Sequence, residues 1–213
     1  MSDYGYIKRN YDALREEIEL ISARVGTKAP KLVAVTKSGT DEELAALCRI
    51  GASAIGENRP GELLRRGTLL SELGLSPELH QIGTLQSNKA KLVCPGATLI
   101  HSLASLSLAK ELDKQGGKLG RKIPVLVEVN SACEEQKDGI LPSETERFIE
   151  SILQFENISL KGLMTMGPVC RDSEDIRPYF TLTRKMFEEF EDRSLLSMAD
   201  DTQPWISLAV PQS

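Results

Sequence analysis

The feature that most constrains this chain is the regular return of short apolar, β-branched runs separated by helical patterns. KLVAVTK (31–37) is a compact buried-strand signal, and IPVLVEVN (123–130) is the clearest strand of the chain. Between and around them the sequence predicts strands at 54–56, 79–83, 98–101, 160–164 and 195–198. Helices are predicted over 41–50, 60–73, 87–93, 103–115, 143–155 and 175–191. Asp41 and Ser143 read as helix-opening caps, with Glu146 at the reciprocal capping position, and Gly51 and Gly116–Gly117 read as helix ends. Strands recur roughly every 20–35 residues, the spacing of βα units whose crossovers enforce a parallel sheet. No GxGxxG follows the first strand, which weighs against a dinucleotide-binding open sheet and favours a TIM-type (β/α) barrel.

A leading helix precedes the first strand. Tyr4, Ile7, Tyr11, Leu14, Ile18, Ile21 and Val25 form one stripe at steps of three and four, so the segment packs on the domain or forms a coiled-coil seam. No linker or low-complexity segment interrupts the rest, and the 213 residues are expected to form a single domain.

Composition removes several function classes. A formal charge of −5 offers no basic excess for nucleic acid. Cys48, Cys94, Cys133 and Cys170 are scattered, without a CxxC pair, which suits a reducing compartment. The first residues lack a signal-peptide core and no run has membrane-span length, so a soluble cytoplasmic protein without a membrane partner is expected.

In a β/α barrel, reactive groups gather at the carboxyl ends of the strands. Those ends carry Lys37, Glu57–Asn58, Gly83–Thr84, His101–Ser102, Asn130 and Met164–Thr165–Met166. A lysine leaving an apolar strand is a candidate Schiff-base nucleophile, although a lysine snorkelling from the barrel mouth gives the same pattern. Glu57 and Asn58 suit either a ligand's polar edge or a helix cap. His80 and His101 have no metal-ligand spacing and read as structural. Ser87–Asn88 reads as a helix opening, with Ser87 a simple cap, and Lys137 as a solvated loop cation or a second cationic contact.

The motifs KLVAVTK, GENR, HQIGTLQSNK, IHSLAS, VLVEVN with EEQKDGI, and LKGLMTMGP stand in one order. Together they resemble the pyridoxal phosphate homeostasis protein family, over Tyr4 to Met198. The resemblance implies a single barrel similar to the alanine racemase N-terminal domain, holding pyridoxal 5′-phosphate (PLP) as an internal aldimine. By position it places the Schiff base on Lys37 and the pocket lining on Asn58, Ser102, Met166 and Ser197, with no catalytic residues and no metal. The family is thought to buffer PLP and deliver it to PLP-dependent apoenzymes, and a monomer is expected. Arg59 stands where the family usually has tyrosine.

The match ends in an atypical tail, residues 199–213. There ADDTQPWISLAVPQS replaces the Gly-Met-Ser segment, helix and last strand that would surround the phosphate. Six residues between Met198 and Trp205 are too few for a parallel crossover, so Trp205–Val210 is not expected as an eighth strand. The barrel is therefore expected to be incomplete at its last β/α unit, with weakened PLP binding and an exposed edge at strand seven. Three other readings stand beside the carrier. They are a PLP-dependent racemase-like or transaminating enzyme, a PLP-independent Schiff-base aldolase, and a remnant that binds nothing.

Overall fold

The structure is a computed structural model that describes residues 4–134, 136–170, 172–196 and 205–209. After a leading helix α1 (Gly5–Val25), strand and helix alternate as β1 (Ala34–Val35), α2 (Asp41–Arg49), β2 (Ala54–Glu57), α3 (Pro60–Glu72) and β3 (Glu78–Gln81). A short 3-10 turn (Ser87–Lys89) leads into α4 (Ala90–Val93), then β4 (Leu99–Leu103), α5 (Leu106–Leu119), β5 (Ile123–Val129) and α6 (Pro142–Ile152). The chain continues as β6 (Ile158–Met166), α7 (Ser173–Asp192) and β7 (Trp205–Ala209).

The seven strands form one parallel sheet in sequential order, β1 to β7. Its hydrogen-bonded order ends at β1 and β7, which do not pair with each other among the described residues, so the barrel is open. Alternation along β5 separates the two faces. Val125, Val127 and Val129 pack with Leu108, Leu112 and Ile149 of the helices, while Leu126 meets Leu99 and Met164 inside the barrel. The outer layer is the larger apolar core, and at the open edge the inner-face Val35 is exposed.

The expected seventh strand at 195–198 is corrected. Leu195 and Leu196 finish the turn after α7, where the Leu195 N–H donates to the Phe190 carbonyl at 2.8 Å and Leu196 is buried in the helix-side core. Residues 197 and 198 lie outside the described residues. The seventh strand is Trp205–Ala209, parallel to β6 from Gly162↔Trp205 to Met166↔Ala209. The crossover is the 20-residue α7 itself, so the short stretch before Trp205 needs no helix of its own.

Three caps also move. Thr40 rather than Asp41 caps α2, in a capping box with Glu43. Pro142 starts α6, and Glu146 pairs with Arg193 beyond α7 instead of capping. Gln86, not Ser87, precedes the 3-10 turn, and the Ser87 hydroxyl lies near Ser107. Ser105 caps α5, and β4 runs on to Leu103, where a helix was expected to begin. The stripe on α1 packs on the domain in part: Tyr11 is buried and Tyr4, Ile7 and Ile18 are half-buried, whereas Leu14, Ile21 and Val25 are exposed.

Candidate functional site

Lys37 sits in the turn that follows β1, two residues beyond Val35. Val35 pairs with Gly56, and the neighbouring pair Ala34↔Ile55 faces the helices, because Ile55 packs on Leu44 and Leu70. Val35 therefore belongs to the inner face, and Lys37 stands at the mouth of the barrel. Its side chain is exposed, and no described residue bonds or pairs with its ammonium. Lys31, by contrast, is bound to Glu78, and Lys137 to Glu134. A primary amine left unpaired beside an open interior is chemically available to an aldehyde.

Strands β2, β3 and β4 bring three further groups to the same end. A Cβ placed on Gly83 would lie 2.7 Å from the Asn58 carbonyl oxygen and 2.8 Å from its Cα, so the chain after β3 runs directly against Asn58. The Gln81 amide donates to the Asn58 carbonyl at 2.9 Å and to the Gly83 carbonyl at 3.0 Å. Ser102 is buried, and its hydroxyl donates to the Gly83 carbonyl at 2.7 Å. Asn58, Gly83 and Ser102 are thus one contiguous patch of the rim. Thr84 extends it by donating to Asp138 at 2.7 Å.

Other expected residues are placed differently. Met166 ends β6 and is exposed, across the sheet from β2. Ser197 lies outside the described residues. A cavity of about 220 Å³ lined by Lys37, Val35, Gly39 and Tyr6 opens against α1 and α2, and Asn58, Ser102 and Met166 do not line it. Glu57 is not a ligand-facing acid: it is buried on the helix side and ion-paired with Arg66. Arg59 is exposed at the start of α3. Asn130 is buried and holds the following loop, its amide donating to the Glu134 carbonyl at 2.8 Å and accepting from the Glu134 N–H. Lys137 pairs with Glu134 at 2.8 Å.

Inside the barrel the two histidines read as structural are joined by groups that the sequence reading passed over. Lys31, Glu78, His80, His101 and Ser207 form a continuous polar chain from β1's approach to β7. Glu128 lies on the inner face of β5, two residues past Leu126. Burial, reinforced by the charge of Asp138, pushes its carboxyl up to about 7. Its sequence signal was an acid inside an otherwise apolar strand. Arg66, which grips the turn carrying Lys37, had no signal, because an arginine in mid-helix reads as solvent-facing. Among the described residues no group of three or more histidine, cysteine or acidic side chains is placed to hold a metal. No described helix is long and apolar enough to cross a membrane.

The donor set fits the aldehyde end of PLP, through the unpaired amine of Lys37. Of the tail, 199–213, that replaces the family's phosphate-binding segments, only 205–209 are among the described residues.

Comparison with known proteins agrees with this geometry. Residues 10–208 match the family described as alanine racemase, N-terminal domain. The pyridoxal phosphate homeostasis protein of Helicobacter pylori is 35% identical over 201 residues, covering 93% of this chain and 88% of that protein. The crystal structure of an unknown protein from Bifidobacterium adolescentis superposes with a TM-score of 0.82 at 26% identity, covering 99% of this chain and 96% of that one. PipY of Synechococcus elongatus, solved with PLP bound, shares the fold with a TM-score of 0.71 at 22% identity, over 90% and 97% of the two chains. The open parallel barrel, the motif order and these matches agree: the chain belongs to the pyridoxal phosphate homeostasis protein family, built on the alanine racemase N-terminal domain.

Proposed function

We propose that this protein binds PLP covalently through Lys37 and serves PLP homeostasis as a non-catalytic carrier, passing the cofactor to PLP-dependent apoenzymes. The observation that carries the reading is the Lys37 amine, without a partner among the described residues, at the mouth of an open barrel in a chain of this family. PLP supplies an aldehyde that condenses reversibly with primary amines. The protein's part is to present one amine and to line the approach, a role we assign to Asn58, Ser102, Met166 and Ser197. The four cysteines are unpaired, which suits the reducing cytoplasm.

A carrier rather than a racemase is supported by the surroundings of Lys37. Racemisation needs a second proton-transfer group opposite the lysine. Tyr6 lines the same cavity, but its hydroxyl donates to Glu43. That bond to the carboxylate raises the phenol's pKa, so it is a poor base at neutral pH. The second reading is a racemase-like or transaminating activity, favoured by Glu128, whose pKa near 7 suits proton transfer.

The test is to mix the purified protein with PLP, reduce with borohydride and map the modified lysine. Labelling concentrated on Lys37, and lost in Lys37→Ala, supports the carrier. Labelling spread evenly over surface lysines would refute it. Solvent-proton exchange at an amino acid's α-carbon that disappears in Lys37→Ala would move the reading to the enzyme.

A further inference from the structure

The turn that bears Lys37 is held from outside the barrel by one buried side chain. Thr36 and Gly39 flank Lys37–Ser38, and the Gly39 N–H donates back to the Thr36 carbonyl at 2.9 Å, closing a four-residue turn. Arg66 of α3 reaches this turn with its side chain 6% exposed. Its Nη1 donates to the Thr36 carbonyl at 2.6 Å and its Nη2 to the Gly39 carbonyl at 2.6 Å. One planar fork therefore spans both ends of the turn. Nη1 also meets Glu57, and that carboxylate accepts from the Thr36 hydroxyl, so strand, turn and helix are tied at one point. The Arg66 Nε has no hydrogen-bond partner among the described residues and lies 3.7 Å from the Asp41 and Glu62 carboxylates. Arg65, next along α3, grips Asp41 and Glu62 on the exposed side and leaves the turn alone.

We propose that Arg66 is a positioning residue for Lys37: by fixing the Thr36–Gly39 turn it aims the lysine amine at the barrel mouth, where the aldehyde of PLP arrives. This rests on the carrier reading above. Two carbonyls about one turn apart need a bidentate donor, which a guanidinium provides and a single ammonium does not. Arg66→Lys keeps the buried charge opposite Glu57 and removes the two-point grip. A turn held at one end leaves the amine sampling many directions, and misplacement of a reacting atom by an ångström slows reaction steeply.

The experiment compares wild type, Arg66→Lys and Arg65→Ala in three measurements. They are the rate of borohydride-trapped PLP addition at Lys37, reductive methylation of Lys37 by formaldehyde, and amide hydrogen exchange at Gly39. In folded Arg66→Lys, PLP addition falls about tenfold or more. Methylation by the small, undirected aldehyde stays within about twofold, and Gly39 exchanges faster. Arg65→Ala stays near wild type in all three. Unchanged PLP addition in folded Arg66→Lys overturns the proposal, as do equal losses toward both aldehydes, which would mean altered amine reactivity rather than aim. If Arg66→Lys does not fold, wild type still decides: a Gly39 amide exchanging at the free-peptide rate overturns the grip, and a protected one supports it. If PLP shows no preference for Lys37 in wild type, the carrier reading fails separately. Gly39 exchange in Arg66→Lys then judges the hold on the turn alone, faster exchange supporting it and unchanged exchange overturning it.

Discussion

His80 Nδ1 lies 2.8 Å from His101 Nε2 inside the barrel, and the neighbours of the pair fix which nitrogen carries each proton. The Glu78 carboxylate, already accepting from Lys31, faces His80 Nε2 at 3.1 Å and can only accept there, so Nε2 carries the proton and donates to it. His80 Nδ1 is then an acceptor for the His101 Nε2–H. His101 Nδ1 in turn accepts from the Ser207 hydroxyl at 3.0 Å. The chain links β3 and β4 to β7 across an interior that the open sheet leaves partly uncovered. Lys31 adds a second tie, with its ammonium 4.9 Å from the Trp205 ring centroid.

Both histidines must remain neutral for this chain to persist. Burial, then the neighbouring His80, lowers the pKa of His101 to about 3, and burial lowers that of His80. A histidine depressed in the folded state stabilises fully above its unfolded value near 6.5, and that stability is lost as pH falls toward 3. Between pH 6.5 and pH 5 His101 alone should cost about 2 kcal/mol. Urea unfolding at several pH values checks this, and His101→Asn should flatten the acid limb. An equally steep limb in the variant would show that other groups govern it.

Glu128 acts in the opposite direction. Its folded pKa of about 7 exceeds the ordinary carboxyl value, so the folded state favours the proton. That contribution is complete below about pH 4.5 and fades as pH rises through 7. Glu128→Gln should therefore stabilise the protein at pH 8 by about 2–3 kcal/mol and leave it nearly unchanged at pH 4.5. Melting curves at the two pH values make the comparison. The slopes of Glu128 and His101 oppose each other and nearly cancel between about pH 4.5 and 6.5, so together they place a broad stability maximum in that range.

Gly162 is where β7 can dock. Its φ is +137°, at a register shift between β5 and β6, and an added Cβ would collide with the Trp205 carbonyl group. Gly162→Ala should cost about 2–3 kcal/mol or release β7 locally. Trp205 is the chain's single tryptophan, so its fluorescence reports the strand directly. A red-shifted emission in the variant is expected, and an unchanged spectrum with unchanged stability would contradict the packing.

Gly83 sets the distance between the ends of β2 and β3. Gly83→Ala puts a methyl within 2.7–3.0 Å of Asn58 backbone and Cβ atoms and disturbs the carbonyl that receives the Ser102 hydroxyl. PLP binding should weaken about tenfold, read by titration of cofactor absorbance, with Lys37 still open to formaldehyde. Unaltered PLP affinity would remove Asn58 and Ser102 from the pocket.

Legibility followed the range of the interactions. Strand β5 was readable because alternate residues of IPVLVEV are apolar on both faces, a property of seven adjacent residues. The position of Lys37 at a strand end was readable, but its role rested on the resemblance, because a lysine snorkelling from the barrel mouth gives the same pattern. Glu57 was misread, since an acid at a strand end looks the same whether it faces a ligand or a buried arginine nine residues later.

The sequence alone determined the alternation of strands and helices, the parallel sheet it forces and the lysine at the first strand's end. Each depends on local periodicity or on the fixed hand of a βαβ crossover. Tertiary structure alone decided that Trp205–Ala209, not Leu195–Met198, is the seventh strand, because pairing with β6 is a contact between residues some 40 apart in the chain. It also decided that Arg66 reaches back to the turn of Lys37, and that two histidines read as structural share one hydrogen-bond chain. Those contacts depend on where helices settle against the sheet, which no local stretch of residues specifies.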